Sequence, residues 1–340
     1  MSLFKDVAKT VALRTGAFSL LHRLRNRECL TVLMFHRVLP AELAGRFCAD
    51  PEYAVTPELL GNILAFCKRH YSPVGLEDVL ASREGIRPLP SYPVLVTFDD
   101  GWRDNLDYAQ PVLQAAGVPW VLFAATDAVA APAIWWQEVL EWALRSGRAS
   151  YDELWLAASG DRTSNTTSAR ALALLLRFGA LPPQRRDKIL EPYAASLRDI
   201  YGSNIALSSE DLRLLRHDSV GIGAHGSSHM PLSLVDHVER DLAAAREWLT
   251  ANVDVTTEYS ISFPHGRYDN HTARIARDTG YRLLFTSDPV LNPCPKGWLK
   301  SDIVGRISIA TANVEGANGN MKGERLAPWL FLRERSVLAA

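Results

Sequence analysis

The chain has 340 residues, of which 47% are apolar, with 37 Lys and Arg against 38 Asp and Glu, a formal net charge of −1. That length allows one large domain or two ordinary ones with a sizeable core, and the composition is that of an ordinary globular protein. The near-neutral balance gives no overall bias toward nucleic acid, and no stretch approaches the roughly 18–20 uninterrupted apolar residues that a membrane-spanning helix needs.

The chain begins "MSLFKDVAKTVALRTGAFSLLHRLRNRECL", which reads as a basic amphipathic helix over residues 1–28. Leu3, Phe4, Val7, Val11 and Leu13 can share one side, with Lys5, Lys9 and Arg14 elsewhere and cations following at Arg23, Arg25 and Arg27. Lys9 and Arg14 interrupt the apolar run, and no small-residue cleavage site follows, so a signal peptide is not expected. Such a helix either packs on its own domain or makes a peripheral contact with an anionic membrane surface. Cys29, Cys48, Cys67 and Cys294 are scattered, without C-x-x-C spacing, which fits a reducing, cytoplasmic location.

"CLTVLMFHRV" (29–38) predicts a buried strand. "TPELLGNILAFCKRH" (56–70) predicts a helix, with Thr56 as N-cap, Pro57 in the first helical position and apolar residues at helical spacing. "YPVLVTFDD" is a second buried strand, "NLDYAQPVLQAAG" a helix ending at Gly117, and "VPWVLFAAT" a third strand. Near-continuous apolar strands alternating with helices predict a parallel sheet or barrel. From about 130 to 215 only helical patterns occur, which reads as a helical insertion. Strands return at "SVGIGAHGSSH", "EYSISFP", "YRLLFTSD" and "DIVGRISIA", leaving a tail over 311–340.

In parallel α/β folds, functional groups collect beyond the carboxyl ends of the strands. Here the first strand ends at His36, the second at Asp99 and Asp100, the fourth at His225, and the fifth at Pro264 and His265. His225 and His229, four residues apart after a Gly-spaced strand, suit a borderline divalent metal such as Zn²⁺, Co²⁺ or Ni²⁺. A carboxylate from Asp99 or Asp100 would complete a three-ligand site, and the other acid would remain free as a general base. Gly101 lets the chain turn so that both acids face one cavity, and Ser227 or Ser228 is expected to cap the helix that follows.

"TFDDG" (97–101), "HGSSH" (225–229) and "FPHGRYD" (263–269), in that order, resemble the polysaccharide deacetylases with a NodB homology domain, carbohydrate esterase family 4. The resemblance covers roughly residues 30–310. It implies a distorted (β/α) barrel with fewer than eight strands, occupying about 29–310 around the insertion. It also implies metal-dependent hydrolysis of an N-acyl group, usually N-acetyl on a hexosamine, in a glycan. Carried over by motif position, Asp99 is the general base and Asp100, His225 and His229 are the metal ligands. The backbone N–H at His265 would hold the oxyanion.

The sequence departs from the family pattern in three places. Ser262 stands where an arginine often orients the base, and Arg306 in "IVGRISI" is a candidate replacement. His265 stands where Tyr or Phe is usual. No late Leu-rich strand ends in the histidine that supplies the general acid, so His36 is the candidate stand-in and His265 the other. Trp135, Trp136 and Trp142 could line a sugar cleft, although their spacing also fits core packing. Alternative readings are a deformylase of a lipid-linked amino sugar and a degenerate relative that binds a glycan without cleaving it.

Overall fold

The computed structural model describes residues 15–339 apart from 48–49, 51, 132–134, 162–169, 203, 257–258 and 315–320. The expected apolar face over Leu3, Phe4, Val7, Val11 and Leu13 therefore lies outside the described residues, as does Cys48. In chain order the strands are β1 (Cys29–Phe35), β2 (Arg37–Val38), β3 (Ala54–Val55), β4 (Ser72–Pro73), β5 (Pro93–Phe98), β6 (Trp120–Ala124), β7 (Gly221–Ala224), β8 (Ser260–Ser262), β9 (Leu283–Phe285), β10 (Asn292–Pro293), β11 (Ile303–Val304) and β12 (Ile307–Ser308).

β1, β5, β6, β7, β8, β9 and β11 follow one another as parallel neighbours. β12 begins only two residues after β11, beyond Gly305 and Arg306, and pairs in parallel with β1. The ring thus closes through a seventh strand that is broken in the middle. Every residue of β1, β5 and β6 is buried, as expected of strands covered on both faces. The predicted strand over 29–38 is interrupted at His36. Beyond it the chain leaves the barrel wall, and β2 pairs with β3 in a separate two-stranded sheet.

The helix over 57–70 forms as expected. The Thr56 side chain accepts from the Leu59 N–H at 3.1 Å, and Leu59, Leu60, Ile63, Leu64 and Cys67 are buried against the barrel. Helices Trp136–Arg145, Tyr151–Ser159, Arg170–Gly179 and Pro183–Tyr201 build a second core around Trp142, Leu174, Phe178, Leu190 and Leu197. The next helix, Ser209–His217, puts Leu212 and Leu215 into the barrel core instead, so the insertion's own core ends near Ala206.

The first and last described helices meet beneath the barrel. Helix Ala17–Arg25 leads into β1, and His22 stacks on Phe331 of the last helix, Gly323–Phe331, with ring centroids 4.1 Å apart. Arg25 donates to the carbonyls of Phe331 and Arg333, and Asn26 donates to that of Phe331.

Candidate active site

The apolar run of β5 ends at Phe98, where the Asp99 N–H donates to the Phe35 carbonyl of β1 at 3.0 Å. The chain then turns through two consecutive left-handed residues, Asp100 (φ 81°) and Gly101 (φ 87°). The turn therefore begins one residue earlier than expected. Asp tolerates that region better than most residues, and a β-branched side chain there would be strained. The alternation of a strand would aim the two acids at opposite faces. The turn instead brings both into one cavity, buried to 2% and 7% exposure.

β7 ends at Ala224, and the His225 N–H donates to the Ala124 carbonyl of β6. His225 Nδ1 donates to the Ser262 carbonyl at 2.7 Å, which leaves Nε2 unprotonated in the neutral ring. The loop that carries His229 is held from below. Asp241, in helix Val238–Val253, accepts from the Ser227 and Ser228 amides at 2.7 and 3.0 Å. The expected capping is thus reversed, with the helix acid tying down the serine loop. Nε2 of His225 and Nε2 of His229 lie 3.2 and 3.1 Å from Asp100 Oδ1. One ligand atom from each of these three residues falls within 4.8 Å of the others. Two imidazole nitrogens and a carboxylate oxygen around one point is a donor set that fits a divalent cation. The second Asp100 oxygen accepts from Trp102 Nε1 at 2.9 Å.

Asp99 is gripped by Arg306, which is completely buried. Nη1 and Nη2 reach the two carboxylate oxygens at 2.7 Å each, the bidentate fork that only arginine offers. The same guanidinium donates to Ser262 Oγ (2.7 Å), to the Thr286 carbonyl (2.9 Å) and to Thr97 Oγ1 (3.3 Å). Ser262 Oγ in turn donates to Asp99 Oδ2. The position where an arginine was expected holds a small hydroxyl residue, and the guanidinium arrives there from the break between β11 and β12. Burial alone would raise the Asp99 pKa. The Arg306 charge and hydrogen bonds outweigh it and hold the carboxyl below its usual range. Burial of Asp100 is likewise outweighed, by its bonds to His225 and His229, and its pKa falls well below the usual carboxylate value.

A cavity of about 400 Å³ opens over these groups. His36 and His265 both line it. The His36 ring meets Tyr53 edge-on at 4.9 Å, and burial lowers its pKa against the opposing pull of Asp100 and Asp99. His265 sits in the left-handed region (φ 57°), with Nε2 3.2 Å from the His229 carbonyl. Desolvation in the cleft, then the charges of His229 and His225, push its pKa down to about 3.

The far wall belongs to the insertion: Trp135, Gln137, Glu138, Glu141 and Arg145. Of the three expected tryptophans, Trp135 faces the cavity and packs on Trp102 with centroids 4.4 Å apart. Trp142 is core, and Trp136 lies under the Arg186 guanidinium. Sequence reasoning missed Arg37, buried between Trp102 and Tyr201 and paired with Asp104 at 2.8 Å. It also missed the Glu138–Arg145–Glu141 chain. These residues lie beside the expected ones in sequence, but only tertiary packing turns them toward the cavity.

Residues 200–284 match the family model described as polysaccharide deacetylase. Among solved structures, the chain is similar to the deacetylase PplD of Streptococcus pyogenes in complex with acetate. That match has 16% identity and a TM-score of 0.57, and covers 89% of this chain and 99% of the other. It is also similar to IcaB from Ammonifex degensii (19% identity, TM-score 0.56, covering 89% and 97%). A third neighbour is a de-N-acetylase from Aggregatibacter actinomycetemcomitans (15% identity, TM-score 0.54, covering 83% and 95%). At these identities the neighbours establish the shared fold. No curated protein matches the sequence. Residues 200–284, which span the histidine pair, thus match the polysaccharide deacetylase model, and the barrel closed by seven strand positions, with the three motifs meeting at its carboxyl end, is the fold the chain shares with the solved deacetylases.

Proposed function

We propose that the protein removes N-acetyl groups from amino sugars of a polysaccharide or lipid-linked glycan precursor. The observation that carries this reading is the division of labour between two adjacent carboxylates. Asp100 shares one point with His225 and His229, while Asp99 stands outside that triad and is clamped by Arg306. A module that only binds a glycan has no use for a free, oriented base beside a ligand triad. Asp100, His225 and His229 would hold a divalent metal, Zn²⁺ with Co²⁺ or Ni²⁺ as alternatives, which when bound supplies a polarised carbonyl and a water of lowered pKa.

The chain's own residues do the rest. Asp99, ionised and fixed by the fork, takes the proton of the attacking water. The His265 N–H donates to the developing oxyanion. His36, which lines the cavity beside the two acids, returns a proton to the departing amine nitrogen. Trp135 and Trp102 offer an aromatic wall for a sugar face, and Tyr53, 49% exposed, extends it to the rim.

The test is metal analysis of the purified protein beside an Asp99→Asn variant, with acetate and formate release measured from matched N-acetyl and N-formyl hexosamine oligomers. The expected result is about one divalent metal per chain in both proteins and acetate release by the wild type alone. A wild type that binds no divalent metal defeats the reading. Release of formate without acetate would replace it with a deformylase.

A further inference from the structure

We propose that the end of the barrel opposite the catalytic mouth is a docking face for an anionic lipid surface, with Leu20, Leu21, Leu24 and Leu332 entering the headgroup layer. This goes beyond the hydrolase reading and does not rest on it. The inner side of helix Ala17–Arg25 is satisfied: His22 is buried on Phe331, and Phe18 packs on the barrel core. The outer side is apolar and, among the described residues, uncovered, with Leu20, Leu21 and Leu24 exposed at 59, 40 and 77%. Leu332 (45%) and Val337 (52%) are exposed on the C-terminal segment that Arg25 and Arg335 tie to this helix. Exposed leucines clustered in this way mark an interaction site rather than ordinary surface.

The charge at this end selects the partner. Residues 17–28 and 331–337 hold five arginines (23, 25, 27, 333, 335) against two glutamates (28, 334), a balance of +3 in a chain whose total is −1. A second copy of the same face would set arginines against arginines. The leucines between them have no counterpart on a nucleic-acid backbone. An anionic bilayer accepts both, with leucines among the acyl chains and arginines at the phosphates. No helix among the described residues is long and apolar enough to cross a membrane, so the contact is peripheral.

Geometry gives this contact a direction. Helix Ala17–Arg25 feeds the amino end of β1, whereas the site is built at the carboxyl ends of β5 and β7. Docking therefore points the mouth away from the bilayer, which favours the polysaccharide over the lipid-linked precursor, and a soluble substrate reaches it equally well in free and bound protein.

The test is co-sedimentation of the full chain with phosphatidylcholine vesicles, with and without phosphatidylglycerol. Hydrolysis of a soluble N-acetyl-hexosamine oligomer and the thermal melt are followed in parallel. The wild type is expected to bind only the phosphatidylglycerol vesicles and to release with added salt. A Leu20→Glu/Leu24→Glu variant is expected to bind at least about tenfold more weakly, with unchanged melt and hydrolysis. The proposal is overturned if the wild type does not bind. It is equally overturned if the variant binds as well as the wild type, or if the same variant instead dissolves a concentration-dependent dimer. Vesicle binding by a chain that hydrolyses nothing would sink the hydrolase reading and leave this one standing.

Discussion

Replacing Arg306 with methionine would strand Asp99. The guanidinium is fully buried and makes five hydrogen bonds, two of them to the Asp99 carboxylate. Truncating one partner of such a pair leaves an uncompensated buried charge and costs about 3–5 kcal/mol. Part of that cost is avoided if Asp99 takes up a proton, because burial then acts on its pKa unopposed and drives it upward. The sign is definite. In the wild type the folded-state pKa of Asp99 lies below its unfolded value. Its contribution to stability is therefore present above about pH 4 and is lost as pH falls through the lower folded value. In Arg306→Met the folded value is raised, so the carboxylate becomes a liability at neutral pH and the variant gains relative stability in acid. The same change should move the acid limb of the kcat/KM profile upward and cost roughly 10²–10⁴-fold at neutral pH, the span of a positioned general base. Arg306→Lys separates charge from geometry. It keeps the cation and loses the fork, so the limb should stay near the wild-type position while the rate falls by about 10–100-fold. The assays are urea unfolding between acid and neutral pH and a pH–rate profile on a soluble N-acetylated oligomer. An Arg306→Met protein with wild-type stability and an unmoved acid limb would refute the claim that Arg306 holds Asp99 ionised.

Three other outcomes follow from the same geometry. Trp102→Phe keeps the ring beneath Arg37 but removes the N–H that Asp100 Oδ2 accepts, so metal affinity, read by competition with a chelating dye, should fall by about 10–100-fold. His36→Gln should lower kcat far more than it raises KM, and should be partly rescued by an oligomer activated at its leaving nitrogen; equal effects on both constants would remove His36 as the proton donor. Gly101→Ala puts a Cβ at a φ of 87°, 3.4 Å from the Ala124 Cβ, and should cost about 1–3 kcal/mol in denaturant unfolding.

What the sequence disclosed, and what it withheld, divides along a physical line. The strands were legible because burial on both faces demands unbroken apolar runs, and the candidate site was legible because it sits where those runs stop: Asp99, Asp100, His225 and His229 each follow a strand end within a few residues. Arg306 was legible only as a candidate. Nothing near it in sequence says that a strand breaks at Gly305, and the break is what turns its side chain inward across Thr286 to reach both Ser262 and Asp99. The Arg306 guanidinium meets Ser262, the position where an arginine was expected, so the charge arrives there from a different strand. A closed ring permits that substitution, because β8, β9, the split seventh strand, β1 and β5 all surround the same interior. The insertion was opaque for the opposite reason. Trp135 and Trp142 belong to one helical pattern, and periodicity marks both as inward-facing without saying whether inward is a core or a cavity. That distinction rests on Arg37. Lodged between Trp102 and Tyr201 and paired with Asp104, it joins the barrel wall to the last insertion helix. The aromatic cavity wall and the support of Asp100 are thus mechanically one unit: Trp102 both packs on Trp135 and donates to Asp100. Glycan specificity and metal retention should therefore be coupled in this enzyme, and a substitution at Arg37 should disturb both together.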